Sequence, residues 1–568
     1  MEPLARLVQA SSDNLRTGCG LAAAIGLLAH SLYFIHGTLN AVATRIFLVH
    51  LAVLSALAAK SSLVLEVSRG SVVTAALFGS YLAALFTSIT AYRVFFHRLS
   101  HFPGGLGPKV SQLYNARLNV IGKKVRSQWE GYHEVYGDFV RVAPNELSIV
   151  RVDAVRKIHG ATTRCTKTNT GVYEYNRFRG VADLEFVTDR SEHRERRRVW
   201  HRATGKKESA KHEGASQPVI LQLMKTIGNA ADGGTPTDIT GLVSLFTFDH
   251  IGAVAYSRDL GGLRTGKPSE VRSLLTILFT MAAKLGGLTW PMAMLADFPS
   301  FGLKKEMEDL GLRFVREREK LDTLTGDDIL GDFIADYCSE KPVAFENYNK
   351  LAADAILMSI GGTETLDSTL SYTFYYLAKN PHYRSALRSA IAPAFGASAA
   401  GEFRNADLER IPLVDGVIKE VLRLHAPTTV GGPRFTPPEG IYVDDVWIPG
   451  GVVVWTPTDL IQRSEKYFKH AKEFIPERWT TKPELILDRR AFFPFTIGRH
   501  ECPGKWIAMS TMRRVVAYAV WDFDWDFAPG DEGSSIWRQE EWLFTRKPGP
   551  LPCVFRRREE CPGSSGGV

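Results

Sequence analysis

The first hundred residues carry a different hydrophobic pattern from everything after them. Residues 17–44 contain no charged side chain, 46–59 are again uncharged between Arg45 and Lys60, and 71–92 run apolar up to Arg93. A helix needs about 20 apolar residues to cross a bilayer. The pattern therefore predicts one to three transmembrane helices, at about 18–37, 41–59 and 71–92, with the middle run short for a span. The apolar stretch is long, repeated and lacks a compact basic start, which argues against a cleaved signal peptide. Arg93, Arg98, Lys109, Arg117, Lys123, Lys124 and Arg126 follow the third run. By the positive-inside rule they place the downstream chain in the cytosol.

No comparable apolar run follows Phe96, which argues against a multi-pass transporter. The reading is an anchor over 1–98, a Pro/Gly hinge over 99–110, a soluble domain over 111–555 and a disordered tail over 556–568. The hinge contains His101-Phe-Pro-Gly-Gly-Leu-Gly-Pro108, which does not continue a helix. Residues 137–144 and 147–151 alternate apolar and polar positions and predict a hairpin. From Glu192 to about His425 the spacing is mainly helical, with one long helix over 348–379. Short strands return over 440–455, and 504–520 reads as a helix. The fold class is α+β, mainly α with small β-sheets.

With 45% hydrophobic and 11% aromatic residues, the chain has material for a large core, which excludes wholesale disorder. The formal charge of +8 suits an acidic protein partner or an anionic membrane. No dense Lys/Arg run is interleaved with aromatics, which argues against nucleic acid. The cysteines, at 19, 165, 338, 502, 553 and 561, form no Cys-x-x-Cys pair. That excludes a zinc knuckle, a redox dithiol and covalent haem attachment, and their low density argues against a disulfide scaffold.

One cysteine stands in a frame suited to metal ligation. In Phe495-Thr-Ile-Gly-Arg-His-Glu-Cys-Pro-Gly504, Gly498 and Gly504 let the chain turn around Cys502 and aim backbone N–H groups at the sulfur. The positive end of the helix that follows also favours a thiolate, and Phe495 supplies an aromatic wall. A buried thiol in a Gly/Pro turn is the alternative. Cys561-Pro-Gly563 carries the same tripeptide without the Phe and Gly frame, so the tripeptide alone carries little weight. Upstream, Gly361-Gly-Thr-Glu-Thr365 places two glycines inside a helix, at a cost of about 2 kcal/mol relative to alanine. Such a site allows close approach to the backbone, with Thr365 bonding either the Gly361 carbonyl or a ligand and Glu364 linking to solvent. A tolerated glycine pair in an amphipathic helix is the alternative. Glu420 and Arg423, three apart, share a helix face.

Phe-x-x-Gly-x-x-x-Cys-x-Gly near the C-terminus resembles the haem-binding loop of the cytochrome P450 family. The acid–Thr helix, Glu-x-x-Arg and Phe474-Ile-Pro-Glu-Arg478 precede it in the family's order. The resemblance covers nearly everything after Phe102 and points to fungal microsomal members of secondary metabolism. It implies a haem-thiolate monooxygenase that uses haem b with Cys502 as axial ligand. O2 would be activated beside Gly361 and Gly362, with Thr365 and Glu364 as the catalytic pair. It implies a structural Glu420/Arg423/Arg478 network, and haem propionates held by His193, Arg197, Arg434 and His500. It also implies electrons from NADPH through a cytochrome P450 reductase, with cytochrome b5 as a further donor. The location would be the endoplasmic reticulum membrane, with the catalytic domain facing the cytosol.

Several positions depart from the family pattern. His500 stands where an arginine is usual, with Arg499 displaced by one, which would make propionate pairing there pH-sensitive. His193 replaces a tryptophan, and Leu366 replaces a hydroxyl after the acid–Thr pair. A haem-thiolate isomerase or dehydratase needing no reductase, and a non-catalytic membrane haem protein, remain as alternatives. The acid–Thr pair favours the monooxygenase. The segments expected around substrate (172–186, 274–290, the residues after Pro427, and 542–544) are apolar with a few polar points. They fit a lipophilic terpenoid, indole alkaloid or polyketide.

Overall fold

The N-terminal helices follow the apolar runs but extend past them. The structure, a computed structural model, describes residues 2–36, 39–122, 125–171, 173–174, 177–268, 272–277, 280, 288–296, 302–321, 328–396, 402–542 and 545–558. An amphipathic helix, Glu2–Asp13, comes first, its apolar residues too interleaved with polar ones to show as a span. Three helical segments are then long and apolar enough to cross a membrane: Leu15–Phe34, Leu39–Val64 and Val67–Phe96. The middle one, expected to stop at residue 59, continues through Lys60, and its regular helix Ala43–Val64 has 22 residues. That length rises about 33 Å. Gly26 lets two of these helices meet backbone to backbone, because a Cβ there would lie 2.4 Å from the Tyr81 carbonyl. Helix Ile239–Tyr256, with 18 residues, also meets that length and apolarity but is mostly buried, as a core element.

The expected free hinge over 99–110 is instead fastened to the domain. Its prolines and glycines do end the preceding helix, yet Leu99 and Phe102 are buried against Leu147, Ile149, Val452 and Val454. The Arg141 N–H donates to the Pro103 carbonyl at 2.8 Å, and a short helix, Leu106–Val110, forms within the segment. The Arg141 guanidinium donates to the Arg93 carbonyl and Arg93 donates to the Val110 carbonyl, both at 2.7 Å. Two apolar side chains in a polar linker are enough to dock it.

Beyond this junction lies a mostly helical body with small sheets. The predicted hairpin, Phe139–Ala143 with Glu146–Ile149, extends to Val453–Trp455, parallel to its second strand, and then to Arg434–Phe435. Ile441–Val443 pairs with Val446–Ile448. A three-stranded sheet joins Thr237–Asp238, Pro552–Arg557 and Phe523–Phe527. Arg556 and Arg557 pair with Asp524 and Phe523 in it, so the C-terminal tail begins later than 556. Residues 559–568, including Cys561, lie outside the described residues. The largest apolar cluster packs the helices His212–Asp232, Ile239–Tyr256, Glu364–Lys379, Pro412–Leu424 and Lys505–Asp522 together.

The long helix expected over 348–379 is two helices, Tyr348–Gly361 and Glu364–Lys379, broken at Gly362-Thr363. A break strands carbonyls that would otherwise accept intrahelical bonds. Hydroxyls take their place: Thr363 Oγ1 donates to the Ser359 carbonyl at 2.6 Å and Thr365 Oγ1 to the Gly361 carbonyl at 2.8 Å. The Gly-Gly-Thr-Glu-Thr run thus opens the helix and also repairs it.

Candidate active site

Cys502 lies on a loop that enters the Lys505–Asp522 helix. Its N–H donates to the Phe495 carbonyl at 2.9 Å, closing the loop across seven residues. Gly498 is required here. Its φ is +73°, and a Cβ would lie 2.4 Å from the His159 carbonyl oxygen and 2.8 Å from the Gly160 carbonyl carbon. Gly504 is not required by the backbone, contrary to the expectation of a tight glycine turn. Its φ is −80° and an added Cβ would sit 4.0 Å from the Cys502 sulfur. Its contribution is the N–H it directs at that sulfur. Burial pushes the Cys502 thiol above its usual range, while the Gly504 N–H and the Arg197 guanidinium favour the thiolate.

Cys502 is deep in the fold yet not fully buried, and the same holds for every residue from Pro494 to Ala508. Gly361 is exposed too, and a Cβ on it would meet nothing within 4 Å, whereas one on Gly362 would strike Ile251 at 2.6 Å. A bulky planar cofactor fits this donor set: a sulfur with N–H support, an open glycine face and, nearby, buried cations.

Those cations only partly match the expected set. His193 and His500 are brought together, with His500 Nδ1 3.1 Å from His193 Nε2 and ring centroids 4.4 Å apart. Burial, with Lys167 and Arg434 adjacent, pushes His193 down to about 3 and lowers His500 as well. Burial and the surrounding cations thus disfavour the charged form of both rings. Arg499 turns away and donates to the Ala161 and Thr163 carbonyls at 2.9 and 3.1 Å. Arg197 lies beside Cys502 and Glu501, its pKa lowered by burial. Arg434 is buried, donates to the Tyr173 hydroxyl at 3.0 Å, and has no partner at Nε. Lys167 and Tyr173, which complete this cluster, were missed by sequence reasoning. A lone Lys in a Cys-Thr-Lys-Thr run looks like surface until the Thr166–Phe435 bridge places it beside Arg434.

Glu364 is found on the broken helix, where Thr545 Oγ1 donates to it at 2.6 Å. Burial raises its pKa, the Thr545 bond opposing. Asp367, one turn on, is pushed up to about 6 by burial. A cavity of about 20 Å³, room for about one water, lies among Glu364, Asp367, Ser244, Arg272, Thr545 and Lys547. Thr545 also carries no sequence signal. It is set in place by Arg546, which ion-pairs with Asp459 at 2.9 Å and contacts His425 Nδ1 at 2.6 Å. Much of the expected substrate wall, including 278–279, 281–287 and 543–544, lies outside the described residues.

Glu420 accepts from Arg423 Nε and Nη2 at 2.9 and 2.8 Å and from Arg478 Nε at 2.8 Å, all three side chains fully buried. Trp479 Nε1 and the Ile475 N–H add bonds at 2.9 and 3.0 Å. Arg423 reaches the Ala471 and Glu473 carbonyls, and Arg478 those of Lys469 and His470. This cluster ties the Pro412–Leu424 helix to the loops ahead of Cys502.

A mainly helical body with small sheets, a Cys502 loop leading into a helix, a glycine-broken helix and a buried Glu/Arg/Arg cluster are the features to set beside known families. The family model for cytochrome P450 matches residues 107–553, and the chain belongs to that family. It is 30% identical to tryprostatin B 6-hydroxylase of Neosartorya fischeri, over 95% of this chain and 99% of that protein. It is 32% identical to the cytochrome P450 monooxygenase sthD of Phaeosphaeria nodorum, over 84% of this chain and 98% of that one. A monooxygenase notG' of Aspergillus versicolor is 31% identical over 84% of this chain. The alignment covering 95% of this chain includes most of the apolar N-terminal helices. The chain is an oxidoreductase of the monooxygenase type, with fungal secondary-metabolism enzymes as relatives.

Proposed function

We propose that this protein inserts one atom of O2 into a lipophilic secondary metabolite, with haem b ligated by Cys502. The observation that carries the reading is the Cys502 loop, with Gly498 fixed at φ +73° and the Gly504 N–H aimed at the sulfur. The chemistry supplied by bound haem is reductive activation of O2: one oxygen atom enters the product, and the other leaves as water with two electrons and two protons.

The chain's own residues would prepare that chemistry. The Gly504 N–H and Arg197 stabilise negative charge on Cys502 Sγ. Gly361 leaves its helix face open, and Thr365 Oγ1 stands at the opened turn, where it could release the Gly361 carbonyl and orient a ligand. Glu364, its pKa raised by burial, is steadied by Thr545 and stands at the break where it can pass a proton. Gly361 and Gly362, Phe495, His193, His500, Arg197 and Arg434 would contact the cofactor, while Glu420, Arg423 and Arg478 hold the loop. Thr365 and Glu364 at the break favour oxygen insertion over isomerisation, which needs no protons delivered.

The electrons would come from NADPH through a membrane-bound reductase, and the anchor would place the chain in the endoplasmic reticulum with this body cytosolic. Apolar helices ending before a basic stretch support that orientation. The test has two stages. Reduced protein with CO is expected to give the red-shifted thiolate Soret band, and Cys502→Ala to abolish it; persistence of the band in the variant refutes the ligand assignment. Turnover with reductase and NADPH, followed by mass spectrometry, is then run on terpenoids, indole alkaloids, polyketides and tryprostatin B, the compound in one relative's name. A product heavier by one oxygen is expected, and an isomer formed without NADPH overturns the reaction class.

A further inference from the structure

The junction between the third apolar helix and the body gathers cations without acids. Arg93 lies near the end of the segment Val67–Phe96, Arg98 and Lys109 stand in the docked linker, and Arg141 is on the strand Phe139–Ala143. Arg141 is 0% exposed, the setting in which an unmatched guanidinium costs most.

Hydrogen bonds draw the four to one corner. Arg141 Nη1 donates to the Arg93 carbonyl and its Nη2 to the Pro144 carbonyl, both at 2.7 Å. Arg93 Nη1 donates to the carbonyl of Val110, next to Lys109, at 2.7 Å. Arg98 Nη1 donates to the Gly450 carbonyl at 2.6 Å, and Asn145, next to Pro144, donates to the adjoining Gly451 carbonyl at 2.9 Å. Carbonyl oxygens satisfy N–H groups but bring no net negative charge. Among the described residues, none of the four cations forms an ion pair with a carboxylate. Glu146, on the strand paired with that of Arg141, is engaged by Gln112 and Trp455, each donating to it at 2.8 Å.

The linker's own titrating groups register the same excess. Burial, with Arg141, Arg98 and Arg93 around it, pushes His97 down to about 3, and burial with Arg141 lowers Lys109. Burial and Arg93 lower Arg141 to about 10, and apart from the Tyr92 phenol no acidic side chain acts on it.

The corner opens beside an apolar rim. Arg98 is exposed and Lys109 half-buried, while Phe95, Phe96 and Leu106 nearby in the chain stand 67–75% exposed. Cations bordered by exposed apolar side chains at the end of a membrane-length helix match an anionic phospholipid, with its phosphate on the charges and its acyl chains on the rim. A soluble anion would leave the rim in water.

We propose that Arg93, Arg98, Lys109 and Arg141 form a binding site for the headgroup phosphate of an anionic phospholipid. The inference rests on the membrane-anchor reading above. One headgroup there meets anchor, linker and body together, and so fixes how the body sits on the bilayer.

Full-length protein is placed in nanodiscs of equimolar phosphatidylserine and phosphatidylcholine, and native mass spectrometry counts the lipid that each chain retains. Wild type is expected to retain one phosphatidylserine in preference to phosphatidylcholine. Arg98→Gln/Lys109→Gln is expected to lower that preference about 25-fold, about fivefold for each cation removed. Lys109→Gln alone, which removes no side-chain hydrogen bond among the described residues, is expected to lower it about fivefold. Arg156→Gln/Lys157→Gln, an equal charge change at exposed positions of the helix Val152–His159, is expected to leave it unchanged. Equal retention of the two lipids by wild type overturns the inference. So does an equal loss in the Arg156/Lys157 variant, which marks diffuse surface charge, and so does displacement of the lipid by excess inorganic phosphate, which marks a soluble-anion site. Protein that does not enter the bilayer overturns the anchor reading itself, and this inference with it.

Discussion

Removing the Glu420 carboxylate should be strongly destabilising. Glu420→Ala leaves Arg423 and Arg478, both with fully buried side chains, without their shared counter-charge. Breaking a buried ion pair by deleting one partner costs about 3–5 kcal/mol. The Trp479 and Ile475 N–H groups lose their acceptor as well, each worth about 1–3 kcal/mol if left dry. Water entering the vacated space and the carbonyls that both arginines already reach offset part of this. A net loss of about 5 kcal/mol follows, a third or more of an ordinary domain's stability of about 5–15 kcal/mol. Unfolding entropy is about 2.1 cal/mol/K per residue, or about 1 kcal/mol/K over the roughly 450 residues matched to the family. The melting temperature should therefore fall by about 5 °C. Calorimetry on haem-loaded protein in nanodiscs measures it, with Glu420→Gln expected between the variant and wild type because it keeps shape but not charge. A melting temperature for Glu420→Ala within 1 °C of wild type would refute the view that this cluster secures the Cys502 loops.

Three further outcomes follow from the site. Gly498→Ala should destabilise by about 2–3 kcal/mol, because φ +73° and the His159 and Gly160 backbone leave no room for a Cβ; Gly504→Ala should cost less, and equal costs in thermal melts would contradict the geometry. Thr365→Ala should lower product formed per NADPH at least severalfold while changing stability by only about 1 kcal/mol, since it deletes one neutral hydrogen bond; unchanged coupling would remove Thr365 from the catalytic pair. Asp367 sits at about 6 in the fold against 3.8 for the free side chain, so protonation stabilises the fold as pH drops from about 6 towards 4, by about 3 kcal/mol in full. Asp367→Asn should therefore exceed wild type in stability at pH 7.5 by that order and lose the advantage near pH 4 in urea titrations; a pH-independent difference would refute the burial argument.

The sequence by itself settled whatever depends on neighbours a few residues apart. Three apolar runs gave the N-terminal helices, Gly498 and Cys502 lie on one loop, and the Gly361-Gly-Thr-Glu-Thr365 run contains both the break in its helix and the hydroxyls that repair it. Its errors were local patterns overruled by packing: a linker docked by Leu99 and Phe102, a tail captured by strand pairing at Arg557, a helix continued through Lys60. Tertiary structure alone decided which charges meet. Lys167 and Arg434 are 267 positions apart and Glu364 and Thr545 are 181 apart, and no periodicity encodes such pairs. It also brought His193 and His500 together where burial and nearby cations disfavour their charged forms, and neither influence is written in a residue's own stretch of chain.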